Sequence, residues 1–218
     1  MLIGRFALGF AAKRVTPGIS LAVLFGAAQL ADLFWPIFLA LGIEHVRIDP
    51  GNTAFTPLDF VSYPYSHSLV ALVVWGVAFG LVYRAITREN GLAFLMIAAL
   101  VVSHWVLDVV THRPDMPIYP NGPRVGLSLW NSPVGTLAVD LVMYAAGLWM
   151  YLRATRARDG VGRWALIAFA GFMLIAYGAN AVGGPPASLP VLYISAIVAA
   201  CLLMLWSWWA DRHREAVL

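Results

Sequence analysis

Six apolar runs, each about as long as a bilayer is thick, constrain this chain of 218 residues more than any other feature. A helix rises about 1.5 Å per residue, so a hydrocarbon core of about 30 Å takes about 20 apolar residues in a row. The runs cover 18–41, 66–83, 91–110, 134–151, 164–182 and 190–209. They are far longer than the roughly 10-residue alternating strands of a membrane β-barrel. Hydrocarbon offers no water to the backbone, and a helix satisfies its peptide groups within one segment. Composition narrows the choice further, with 61% hydrophobic and only 11% charged residues. Soluble domains carry about 45–50% and 25%, so a water-soluble globule and a disordered chain are both excluded. The sequence therefore predicts an all-α, polytopic transmembrane bundle in one integral domain, 1–218, with the lipid bilayer as its first partner.

Turn and polar chemistry separates the runs, at Asp49-Pro50-Gly51-Asn52, Arg88-Glu89-Asn90-Gly91, Pro120-Asn121-Gly122-Pro123, Arg158-Asp159-Gly160 and Gly183-Gly184-Pro185-Pro186. The opening stretch, 1–17, is too short in its apolar part to span and has no small-residue cleavage site. It reads as an interfacial or re-entrant segment, not a signal peptide. Basic residues set the orientation. Eleven of the fourteen fall on one side: Arg5, Lys13 and Arg14, then Arg84 and Arg88, then Arg153, Arg156, Arg158 and Arg163, then Arg212 and Arg214. Only Arg47, Arg113 and Arg124 fall on the other, so both termini are expected in the cytoplasm. The same scatter excludes a nucleic-acid surface despite a net charge of +3. Trp206, Trp208 and Trp209 read as an interfacial aromatic belt. The single cysteine, Cys201, excludes a disulfide within the chain and reads as a small buried hydrophobe.

Ionisable residues inside a span are costly and point to a site. Here they are Asp32 in the first run, His67 at the start of the second, His104 and Asp108 in the third, and Asp140 in the fourth, with His112 and Asp115 just past the third. Counting rise per residue puts all of them in the outer half of the bilayer. His104, Asp108 and His112 recur every four residues and stack on one helix face. Imidazole nitrogens and a carboxylate suit a divalent metal such as zinc. A plain His–Asp hydrogen bond locking two helices would use the same pair. Asp32, His67, His104 and Asp108 are the candidate ligands, with His112 and Asp140 as candidate general base or ligand-orienting groups. Asp140 fits equally well as a structural partner of Arg113 or Arg124. Pro36 lacks an N–H and predicts a kink that frees the Asp32 carbonyl. Pro64 and Ser66 predict a helix start that keeps His67 neutral.

These motifs resemble the bacterial membrane-bound metal-dependent hydrolases of the YdjM-like inner-membrane family, itself distantly similar to zinc-dependent phospholipase C. The residues that carry the likeness are Asp32 in Leu30-Ala31-Asp32-Leu33, His67 in Ser66-His67-Ser68, and the His104/Asp108 pair. The likeness covers roughly 1–140, and the last two runs carry no matching motif. It implies a bacterial inner-membrane protein with a metal-dependent hydrolytic site. Two positions depart from the pattern. Arg5 stands where the family has an amino-terminal histidine, and Ser62 where it often has another. Arginine stays protonated and cannot ligate a metal. Arg5 in a ligand position would substitute its charge for the metal's and pair with Asp32 or Asp108. Two readings follow: a hydrolase acting at the outer leaflet on a lipid or phosphoester, or a non-catalytic subunit of a larger membrane complex that keeps the fold. A proton or ion path is disfavoured because the cytoplasmic half continues no polar chain.

Overall fold

The long apolar runs become helices, most of which begin at a polar cap. The computed structural model describes residues 3–88 and 91–217, so Glu89 and Asn90 of the expected second turn lie outside the described residues. The helices are α1 (Ile3–Ala12), α2 (Leu21–Ala28), α3 (Leu30–Ala40), α4 (Leu69–Thr87), α5 (Gly91–Thr111), α6 (Pro133–Ala154), α7 (Gly160–Val182) and α8 (Leu189–Arg212). The side chains of Ser68, Ser132, Asp159 and Ser188 accept the amide N–H three residues on, at the starts of α4, α6, α7 and α8. The cap of α4 is therefore Ser68, not Ser66, whose hydroxyl is engaged elsewhere. Among the described residues, α4 to α8 are long and apolar enough to cross a membrane, and the bent pair α2–α3 passes the same test only as a unit, as a broken span or a re-entrant loop, which gives five to six spans. Exposed Val74 on α4, Ile175 on α7 and Leu202 on α8 give the outer faces the apolar character that lipid contact requires. The chain is an all-α, multi-pass membrane protein.

Short antiparallel ribbons close the two ends. β1 (His45–Ile48) pairs with β2 (Leu58–Ser62), and β3 (Met116–Pro117) with β4 (Arg124–Val125), in the connections at one end. At the other end β5 (Thr155–Ala157) pairs with β6 (Arg214–Ala216). Cys201, read as buried, is exposed on α8.

The first span breaks elsewhere than the proline predicts. Pro36 stays inside α3, and the chain leaves the helical path at Gln29 (φ −107°, ψ 8°), where α2 and α3 meet at 59°. A proline removes one N–H donor, which the intact helix on either side tolerates. The turn at Gln29 instead places Asp32 in the first turn of α3.

The amino-terminal helix, too short to span, packs into the bundle and does not lie free on its surface. Eight of its ten residues are buried, and Phe6 and Phe10 meet Phe25 edge-on at 4.9 Å. A Cβ on Gly147 of α6 would lie 2.3 Å from the Ala7 carbonyl oxygen, so only glycine lets the α1 and α6 backbones touch. Carboxylates fix both ends of α1. Asp140 Oδ1 accepts the Gly4 N–H at 2.8 Å, one of the donors a helix start leaves unpaired, while its Oδ2 accepts the Tyr177 hydroxyl at 2.7 Å. Just past the other end, Lys13 Nζ donates to Asp211 at 2.6 Å and to the Ile19 carbonyl at 2.8 Å. Asp211 also accepts from Leu21 N and from the Tyr151 hydroxyl.

Candidate metal centre

Three elements bring four ligand-type side chains to one point. Asp32 comes from the first turn of α3, His67 from the residue before the Ser68 cap, and His104 and Asp108 from one face of α5. His104 Nε2 lies 3.2 Å from Asp108 Oδ2 and 3.7 Å from Asp32 Oδ1. His67 Nε2 lies 3.4 Å from Asp32 Oδ1 and 3.9 Å from Asp108 Oδ2. Ligand atoms of Asp32, His67 and His104 all fall within 4.8 Å of one another. Four ligands at about 2.0–2.2 Å around a tetrahedral ion stand about 3.3–3.6 Å apart, close to these spacings.

The second nitrogen of each ring decides what the first can do. His104 Nδ1 sits 2.9 Å from the Ala28 carbonyl at the end of α2. A carbonyl only accepts, so Nδ1 carries the proton and Nε2 presents a lone pair. His67 Nδ1 lies 2.7 Å from Ser66 Oγ, whose own proton goes to Glu44 Oε2 at 2.5 Å. Glu44 is further held by the N–H groups of Tyr65 and Ser66. Ser66 therefore accepts from His67, which also turns a lone pair inward. His104 Nε2 has no hydrogen-bond partner among the described residues. Two imidazole lone pairs thus face two carboxylate oxygens. That donor set suits a cation, and the hydrogen bonds behind it are of the kind that orient metal-bound histidines.

Arg5 stands behind the carboxylates. Its guanidinium pairs with Asp32 Oδ2 and Asp108 Oδ1, the two oxygens turned away from the imidazoles. It therefore pairs with both aspartates while leaving their inner oxygens directed at His67 and His104.

A half-open cavity of about 470 Å³ adjoins this cluster, with Arg5, Asp32, His67 and His112 on its wall. His112 follows the last residue of α5 and lies outside the ligand cluster, on the wall of the same cavity. Its Nδ1 donates to Asp115 Oδ1 at 2.9 Å, and the Tyr63 hydroxyl donates to the same oxygen at 2.8 Å. Trp130 packs on the imidazole with ring centres 4.2 Å apart. Burial holds the His112 imidazole below its usual 6.5, and burial next to Asp115 keeps the Tyr63 phenol well above 10. Arg113 bridges Asp115 and Asp59, and Arg47 binds Asp59 from the other side, which ties β1 and β2 over the site.

Asp140 does not line the cavity, and it pairs with neither Arg113 nor Arg124. Its carboxylate serves Gly4 and Tyr177, as described above, while Arg124 donates to the Val61 carbonyl. Sequence reading missed Glu44 and Tyr63, which lie in connections where polar residues are unremarkable. The His112-x-x-Asp115 spacing was the one visible sign of the dyad. Comparison with known protein families, with curated proteins and with solved structures gives no match for this chain.

Proposed function

We propose that this protein is a metal-dependent hydrolase of the bacterial inner membrane, acting from the outer leaflet on a lipid or other phosphoester. The observation that carries the reading is the convergence of two imidazole lone pairs and two carboxylate oxygens beside a cavity that also presents His112. Asp32, His67, His104 and Asp108 would hold a divalent metal, and zinc suits their nitrogen and oxygen donors and their tetrahedral spacing. Such an ion lowers the pKa of a bound water and polarises the phosphoryl or carbonyl oxygen under attack.

The chain's own groups do the rest. Arg5 holds the outer carboxylate oxygens, so the two aspartates sit side by side without a net repulsion of two charges. The Ala28 carbonyl and the Ser66–Glu44 pair fix the ring tautomers. Asp115 holds the proton on His112 Nδ1, so His112 Nε2 can take a proton from the attacking water and return it to the leaving oxygen. Asp140 acts through α1 and takes no part in the chemistry. The four ligand positions are also those on which the resemblance to the YdjM-like hydrolases rests.

Elemental analysis of the purified protein, alongside its native mass, tests this. The expected result is about one zinc, manganese or iron per chain, lost in His104→Ala and in Asp108→Asn. A protein that takes up no transition metal, even after metal is supplied, would overturn the hydrolase reading. Recovery of that metal-free chain in one stable larger complex would make it an accessory subunit.

A further inference from the structure

The cavity is larger than hydrolysis of a small ester needs, and its walls divide sharply in character. Beside the metal cluster, two more buried residues line it, Gln29 at 5% and Trp35 at 8% exposure, and Gln29 Oε1 and Trp35 Nε1 are buried without a hydrogen-bond partner among the described residues. Arg5 Nε is unpartnered in the same way. Buried polar groups are nearly always satisfied, so a group of three orphans around one cavity marks the place of an absent polar ligand. Two of them donate and one accepts. A phosphate oxygen would satisfy Trp35 Nε1 and Arg5 Nε, and a hydroxyl would satisfy Gln29 Oε1.

The opposite wall is one face of α8, with Leu192, Ala196, Ala199, Ala200 and Leu203 following helical spacing along the cavity. Ser195 on that wall donates its hydroxyl proton to the Leu192 carbonyl at 3.0 Å, so it offers the cavity no donor. The alanines leave a channel where larger side chains would fill it. Across it stand Leu33 of α3 and Phe6 of α1. The volume, about 470 Å³, falls in the range of small-ligand sites and holds a head group with part of one chain.

We infer that this cavity binds a single-chain phosphoester lipid, its phosphate and a neighbouring hydroxyl between the metal cluster, Trp35 and Gln29, its alkyl chain along the alanine face of α8. The inference rests on the hydrolase reading and names the substrate class of that same site.

Binding of straight-chain alkyl phosphates to the full-length protein tests it, read by thermal shift and calorimetry in the metal-loaded state. Affinity should rise about three- to fourfold per methylene from butyl phosphate upward and level off once the channel is full. Ala200→Leu and Ala199→Leu should weaken decyl phosphate about tenfold or more and leave butyl phosphate unchanged. Trp35→Phe should weaken both probes. A wild-type affinity indifferent to chain length overturns the inference, as does equal loss of both probes in the alanine variants. Either result with metal bound at full stoichiometry leaves the hydrolase reading standing. Loss of metal binding by the wild type removes both.

Discussion

His112 shows how little of a catalytic group lies in the residue itself. Its spacing from Asp108 suggests a third ligand on the α5 stripe, yet the ring is held by Asp115 and packed at a tilt against Trp130. If Nε2 is the base, His112→Ala should lower turnover about 10²- to 10⁴-fold while metal content stays at the wild-type value. The pH profile gives a second reading. A base works unprotonated, and burial holds this imidazole below 6.5, so the acid limb of activity should fall below pH 6.5. Asp115 pulls the other way, its hydrogen bond and charge favouring the protonated ring. Asp115→Asn should therefore shift the acid limb to still lower pH and lower the plateau, because the ring loses its fixed tautomer. A limb that stays in place in Asp115→Asn would assign the titration to another group. Asp32, His67, His104 and Asp108 stand out in the sequence because an apolar run gives such residues no ordinary reason to be there. Glu44 and Tyr63 do not, because in a polar connection any carboxylate or phenol has one.

At the scale of elements, α1 was the part least legible in advance. Its shortness shows only that it cannot span. What holds it inside the bundle is Asp140 at one end and Asp211 at the other, partners 136 and 198 residues away along the chain. No local pattern reports contacts of that range. The break at Gln29 was hidden for the opposite reason, since Pro36 carries the obvious signal and Gln29 carries none. The glycine at 147 tests the arrangement. A methyl there would sit 2.3 Å from the Ala7 oxygen and 2.6 Å from its Cα, so one helix must move. Gly147→Ala should cost about 1–3 kcal/mol, read from thermal or denaturant unfolding in detergent. Metal affinity should fall with it, because Arg5 rides on α1. Gly171→Ala on α7, where a Cβ meets nothing within 4 Å, should lose neither stability nor metal. Equal effects of the two substitutions would mean that the close approach of α1 to α6 does not set the site.

For the whole molecule, class and approximate span number were readable from the apolar runs, because a bilayer fixes segment length by its thickness. Sidedness is a separate matter, set by charge. The bundle puts the β1–β2 connection, which roofs the cavity, at the end opposite β5–β6. The basic residues 153, 156, 158, 212 and 214 gather around β5–β6. If the eleven-to-three distribution of basic residues orients the chain, the cavity faces outward and β5–β6 faces the cytoplasm. Ala54 and Ala216 are exposed at the two ends, and Ala54 directly precedes the cavity-lining Phe55. In a Cys201→Ala background, Ala54→Cys should react with a membrane-impermeant maleimide in intact cells. Ala216→Cys should react only after the membrane is opened. The reverse pattern would put the metal cluster in the inner half of the bilayer. Its substrate would then be a lipid of the cytoplasmic leaflet, even with every distance in the site unchanged, because the distances fix the chemistry and only the basic residues fix the side on which it happens.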